Sequence, residues 1–256
     1  MTFTFLGTGT SQGVPVIGCQ CKVCLSKDEK DQRLRTSGLI HLGDEDLLID
    51  MGPDFRQQAL RANLKKLNAV VLTHEHADHT AGLDDIRPIN FKMGSIPFYG
   101  LPRVLDDLKK RFHYVFEEHQ YPGLPEVSLN KIFPGQHISI GQQKIEFIPV
   151  IHGKLEIIGV RIRGLVYITD ASYLSESTIK SIQNCTVLVL NALHREKHHS
   201  HLNLEQALYY IDRIQPKTCY LTHISHHMGL HEEVQKELGP NIWLAYDGLQ
   251  VDFSDE

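Results

Sequence analysis

The chain has no uninterrupted apolar run approaching the roughly eighteen residues of a membrane-spanning helix, so none is expected. It has no excess of basic residues. Its 26 Lys and Arg stand against 31 Asp and Glu, a net charge of −5, and no basic stripe advertises a nucleic-acid footprint. No repeat, low-complexity tract or long Pro/Gly/Ser linker divides it, so residues 1–256 read as a single domain. MTFTFLGTGTSQG, at residues 1–13, lacks a basic segment followed by an apolar core, which argues against a secretory signal. The expected location is the cytoplasm, where disulfides are disfavoured. Cysteines are few and odd in number, five, which points away from a disulfide framework and towards metal or reactive thiols.

What the chain does have is 41% hydrophobic residues, enough for a sizeable core, and 16 histidines. Its apolar runs are short and β-like: 3–9, 47–52, 69–74, 144–152, 157–164, 165–170, 187–194 and 218–223. Helical patterns cover 53–63, 79–87, 102–116, 175–183, 203–214 and 230–238, with Asn203 as an N-cap and Gln206 completing a capping box. Residues 117–136 read as an irregular connection or flap. This is a mixed α/β chain. Five of the apolar runs end in a residue able to bind metal: Asp50, His74, His152, Asp170 and His223. Layered α/β folds place their sites where strand ends converge, so the joint pattern is informative.

The densest signal is THEHADH at 73–79. His74 and His76 lie two apart just past a strand, and in an extended loop both can turn to one side. Asp78 and His79 follow at the expected start of a helix and can point back at the same place. Four ligand-type residues within six positions suit two metal ions close together. A helical HExxH zinc site fits poorly, because Asp78 stands where its second histidine would be. GTGTSQG (7–13) has the wrong glycine spacing for a dinucleotide fingerprint and reads as a tight turn leading to the site's rim.

H-x-H-x-D-H after an apolar strand resembles the hallmark of the metallo-β-lactamase superfamily, and the resemblance runs over nearly the whole chain. It implies an α/β, four-layered αββα sandwich with a dinuclear metal site at one edge. It further implies that His74, His76 and His152 hold one metal, that Asp78, His79 and His223 hold the second, and that Asp170 bridges them. Asp50, in LLIDMG, matches an early aspartate that orients a ligand histidine.

Cys19, Cys21 and Cys24 offer three thiolates on one short loop, and zinc wants four ligands. His226, three residues after His223, is the candidate fourth, with His227 as its rival. GTGxxQGVPxxGCxCxxC near the N-terminus and LTHISH near the C-terminus are similar to the PhnP-like branch of the superfamily, which includes a cyclic-phosphate phosphodiesterase. That branch has the same Cys₃His arrangement and implies a structural zinc.

Two divalent metals, manganese or zinc or iron, suit such imidazole and carboxylate ligands. The expected reaction is hydrolysis of a small phosphodiester. HHSHLN (198–203) supplies His199 or His201 as general acid. Alignment with the branch puts His199 in the acid's place, and His201 falls where the branch has an aspartate. Arg87 and Lys92 are candidates to meet a second phosphate. The alternatives are a tRNA 3′-end nuclease, for which a homodimer would have to create the basic groove, and a lactone or thioester hydrolase. A di-iron oxygen reductase fits poorly, since that branch carries glutamate where His76 stands. A non-catalytic metal module fits poorly with a full ligand set.

Overall fold

The computed structural model describes residues 1–117 and 123–254. Two seven-stranded mixed sheets stack face to face, with helices outside. The first has strands β1 (Thr2–Gly7), β2 (Ser37–Leu42), β3 (Glu45–Ile49), β4 (Ala69–Val71), β5 (Ile96–Gly100), β6 (Val127–Lys131) and β14 (Gln250–Asp252), in the order β14-β1-β2-β3-β4-β5-β6. The second has β7 (His137–Ile140), β8 (Gln143–His152), β9 (Leu155–Ile162), β10 (Leu165–Ile168), β11 (Val187–Asn191), β12 (Thr218–Thr222) and β13 (Ile242–Leu244), in the order β13-β12-β11-β10-β9-β8-β7.

Alternation along β1, β2 and β9 sends Phe3, Phe5, Ile40, Val160 and Ile162 into the buried core. Phe3 and Tyr167 meet across the sheets with ring centroids 5.6 Å apart. A second core lies between the second sheet and helices α6 (Glu176–Ile182) and α7 (Leu204–Ile214), filled by Ile179, Ile182, Ala207 and Ile211. The capping box at Asn203 forms: its Oδ1 accepts from Gln206 N at 2.9 Å, and Gln206 Oε1 accepts from Asn203 N at 3.1 Å.

Strands β3 to β6 run parallel, as do β10 to β13, and β8 runs with β10 through two antiparallel pairings. Their C-terminal ends therefore gather at one edge. Three residues there, Asp50, Asp170 and His223, have left-handed backbone with φ of 62°, 59° and 57°. Such a turn costs an L-residue roughly 1–2 kcal/mol, and these positions follow the ends of β3, β10 and β12 where each side chain must be aimed inward.

Several expected elements differ. The helix expected over 79–87 is broken into α2 (Ala77–Thr80), a 3-10 turn (Leu83–Ile86) and α3 (Arg87–Met93). Gly82 packs so closely that an added Cβ would lie 2.3 Å from Gly52 O, and Pro88 starts a fresh helix. The 102–116 pattern becomes α4 (Pro102–Arg111) and α5 (His113–Phe116), separated at Phe112. Within the connection expected to be irregular, Val127–Lys131 is β6, formed by pairing with β5, while 118–122 lie outside the described residues. The remaining α-helices are α1 (Phe55–Arg61), which covers β1, and α8 (His231–Glu237), which covers β13.

Candidate metal centres

The chain turns out of β4 through Thr73 and His74 into α2, so that the histidine motif caps the edge where the strands end. Gly52 permits this: an added Cβ would lie 2.0 Å from Asp78 O. Three groups of side chains gather at that edge. The ligand atoms of His74, His76 and His152 lie within 4.8 Å of one another, as do those of Asp78, His79, Asp170 and His223, and those of His152, Asp170 and His201. Asp170 joins the sets: Oδ2 is 3.8 Å from His74 Nε2 and 3.2 Å from His223 Nε2, and Oδ1 is 3.5 Å from His79 Nε2.

The imidazoles are oriented from behind. Asp50, fully buried, accepts from Thr73 N (2.8 Å) and Thr73 Oγ1 (2.9 Å), and takes a hydrogen bond from His79 Nδ1 at 2.7 Å. Thr73 Oγ1 in turn faces His74 Nδ1 at 3.0 Å. His152 Nδ1 donates to the Ser200 carbonyl at 2.7 Å. Each contact fixes the tautomer that leaves Nε2 of His79, His74 and His152 aimed inward. Thr73 and Ser200 were not singled out from the sequence; both are common residue types, and Ser200 acts here through its backbone.

The electrostatics favour bound cations. Burial opposes ionisation of Asp170 and Asp78, yet His223 and His79 hold both well below the usual carboxylate range. Burial likewise opposes protonation of His223, yet Asp170 and Asp78 draw it up to about 9. His79 is raised by Asp170, Asp78 and Asp50 against the same burial. His74 is pushed well down by burial and by His79. Buried carboxylates borrow imidazolium charge, and divalent metals would supply it instead. Nε2 of His79 and both ring nitrogens of His223 are buried without a hydrogen-bond partner, which fits metal ligation.

Of the two general-acid candidates, His201 is half-buried, with Nε2 3.2 Å from Asp170 Oδ2. His199 is exposed and packs on His198, ring centroids 4.3 Å apart. Arg87 donates to Asp84 O, and Lys92 is exposed on α3; among the described residues neither shows a hydrogen bond or ion pair to the histidine motif.

The second centre joins the N-terminal loop to the loop after β12. Nδ1 of His226 lies 3.4 Å from Cys19 Sγ, 3.4 Å from Cys21 Sγ and 3.5 Å from Cys24 Sγ. A tetrahedral zinc with ordinary Zn–S and Zn–N bonds sets S···N edges of about 3.5–3.6 Å. His226 thus lies where a fourth ligand would sit, and its rival His227 is exposed beside it. The Cys24 N–H and the facing His226 lower Cys21 to about 6, against burial, whereas burial and the neighbouring sulfurs raise Cys24 to about 11. Three thiolates this close would be stabilised by a bound cation. Cys185 and Cys219 are buried in the core.

Among the described residues no helix is long and apolar enough to cross a membrane. Residues 45–224 match the model of the beta-lactamase superfamily domain. The chain is 38% identical to a diphosphatase from the PhnP family, with a TM-score of 0.92 covering 99% of this chain and 98% of that one. It is 41% identical over 253 residues to a protein of Porphyromonas gingivalis named octanoyltransferase; that covers 98% of this chain but 51% of the relative, so the chain spans about half that relative's length. Zinc-bound PqqB from Methylobacterium extorquens shares the fold, with TM-score 0.82 at 20% identity, covering 99% of this chain and 100% of that one. With the paired sheets, the histidine motif at their edge and a family match over most of its length, this chain belongs to the beta-lactamase superfamily.

Proposed function

We propose that the chain is a metal-dependent phosphodiesterase that hydrolyses a small cyclic phosphodiester of the phosphoribosyl 1,2-cyclic phosphate type. The observation that carries this reading is the joined ligand set, in which one carboxylate, Asp170, reaches both histidine groups. His74, His76 and His152 would hold one divalent metal and Asp78, His79 and His223 the other, with manganese, zinc or iron suiting the donors. Bound there, the pair supplies an activated water and a positive seat for a phosphoryl oxygen. Asp50 and Thr73 hold the imidazoles in register for it. His201, half-buried beside Asp170, would hand a proton to the departing alcohol. Cys19, Cys21, Cys24 and His226 would hold a separate zinc whose closed shell leaves no position for substrate. The likeness to a PhnP-family diphosphatase over the full chain supports phosphoryl chemistry. The octanoyltransferase name belongs to a protein of twice this length, and the cysteines of this chain are either gathered on His226 or buried.

The test is turnover of bis(p-nitrophenyl) phosphate, p-nitrophenyl phosphate and a lactone by metal-loaded protein, with and without chelator. The diester should be hydrolysed fastest, chelation should abolish it, and Asp170→Asn should lose at least one metal and nearly all activity. A tenfold preference for the monoester or the lactone overturns the reading.

A further inference from the structure

Strands β10 and β11 pair in parallel up to the rung of Ile168 and Leu190. Beyond it the chain leaving β10 turns at Asp170, whose left-handed backbone breaks the ladder, and the next residue, Ala171, is fully buried. A buried N–H and C=O at such a turn need partners. One side chain supplies both. Asn191, last in β11 and itself fully buried, accepts from Ala171 N through Oδ1 at 2.7 Å and donates to Ala171 O through Nδ2 at 3.0 Å. A primary amide holds a donor and an acceptor side by side in one plane, so it pairs with Ala171 as a neighbouring peptide group would. Asparagine is thereby called for by hydrogen bonding where the rest of β11, VLVL, is apolar.

Three groups of the dinuclear centre depend on this clamp. The turn it holds carries Asp170, with Oδ2 3.8 Å from His74 Nε2 and 3.2 Å from His223 Nε2. Ala171 O also accepts from Leu202 N at 2.7 Å, and the residue before Leu202 is His201, with Nε2 3.2 Å from Asp170 Oδ2. On its other side Asn191 is level with Thr222 of β12; Ala192 N donates to Thr222 O at 2.9 Å, and His223 follows. Thr169 Oγ1 fixes one oxygen of Asp170 at 2.6 Å, and Asn191 fixes the backbone beside it. Left-handed backbone at a residue other than glycine persists only where its surroundings hold it.

We propose that Asn191 is a positioning residue of the hydrolytic centre: by clamping Ala171 it keeps Asp170 in the orientation that reaches both histidine groups. The proposal rests on the dinuclear reading and adds to it a residue that binds neither metal nor substrate.

The test compares manganese-loaded native protein with Asn191→Leu, which keeps the volume and loses both hydrogen bonds, and with Asn191→Asp, which keeps an acceptor for Ala171 N. Two manganese ions joined by a carboxylate are magnetically coupled, and their electron paramagnetic resonance spectrum differs from that of isolated ions. The native protein should give the coupled spectrum. Asn191→Leu should give that of isolated ions and hold manganese about 10- to 100-fold less tightly, with kcat on bis(p-nitrophenyl) phosphate reduced on the same scale and KM less affected. Asn191→Asp should fall between the two. Zinc at the Cys₃His centre and a cooperative melting transition show that each variant is folded. An asparagine that only stabilises the fold would lower the melting temperature and leave the coupled spectrum intact; that result in a folded Asn191→Leu overturns the proposal. Failure of both variants to fold also overturns it, since Asn191 would then belong to the fold and not to the site. If the native protein itself shows no coupled pair, the dinuclear reading fails beneath the proposal, an outcome distinct from failure of the clamp alone.

Discussion

Arg33 is 4% exposed, and its guanidinium donates to Thr8 Oγ1 at 2.8 Å and to the Ala245 carbonyl. Its Nη2 also lies 3.2 Å from His231 Nδ1, so the imidazole must accept. His231 N donates to Asp31 Oδ1 at 2.7 Å. Protonating His231 would set two cations face to face; burial, then Arg33 and Lys30, push it down to about 4 against the pull of Asp28 and Asp31. The unfolded chain takes up that proton near pH 6.5, so stability is whole above about 6.5 and is lost as pH falls towards 4. We expect the difference in melting temperature between the native protein and His231→Gln to shrink steadily from pH 7 to pH 4. Parallel pH curves would show that His231 does not carry this dependence. At this scale the sequence is legible where chemistry is dense. His74, His76, Asp78, His79, His152, Asp170 and His223 are rare donors at strand ends, and they converge. Arg33, His231 and Thr73 were silent, because nothing local marks a buried arginine 198 positions from its imidazole partner.

Helix α4 puts Arg103, Asp107 and Arg111 on one face, each four residues from the next. Arg103 Nε pairs with the Glu75 carboxylate at 3.0 Å. Arg111 Nη2 donates to Glu75 O at 2.8 Å and Thr80 Oγ1 at 2.7 Å, while Asp107 pairs with Arg111. Thr80 Oγ1 donates to His76 O at 2.9 Å. One helix therefore grips both ends of the segment that carries His74 to His79. Arg111→Met should weaken metal binding at the dinuclear centre roughly 10- to 100-fold, the usual cost of losing a partner behind the ligands, and Arg111→Lys should recover part of it. Graded chelation with metal analysis checks this, the metal at the Cys₃His centre serving as internal reference; unchanged retention in Arg111→Met would reduce the clamp to packing. Elements were legible in proportion to their apolar continuity. β8 to β12 and the capped α6 and α7 stand out in the chain. β2 (SGLIHL) and β5 (IPFYG) do not, since Gly, Ser, His and Pro dilute the pattern and only pairing with neighbouring strands makes them strands.

Across the whole molecule, the first sheet delivers Asp50 and the histidine motif, and the second delivers His152, Asp170 and His223. The four layers followed from the family resemblance, whereas the strand order, with β14 returning beside β1, is set by contacts far apart in the chain. The Cys₃His centre spans the same divide, joining Cys19 to His226 across 207 positions. A metal there would bind the folded chain and not the unfolded one, so its binding free energy would add to folding stability. Only Ile224 and Ser225 separate His226 from His223. Ile224 is itself held by the N-terminal turn, donating to Thr8 O at 2.8 Å and accepting from Thr10 N at 3.1 Å. Loss of the metal would therefore free one end of a short, taut segment whose other end is a ligand of the dinuclear centre. Cys21→Ser removes one corner of the tetrahedron with little change in volume. It should bind one zinc fewer per chain, melt at lower temperature, and hold the metal on Asp78, His79 and His223 less tightly than the native protein, with weakened catalysis recovered in part by excess metal. The order of effects matters: zinc at the cysteines should be missing even where the dinuclear centre has been refilled. If Cys21→Ser keeps its full metal content and melting temperature, or if Cys19 and Cys24 prove to be joined by a disulfide, the thiolates are not a metal site and the tie across the molecule is made by the backbone contacts of Thr8, Thr10 and Ile224 alone.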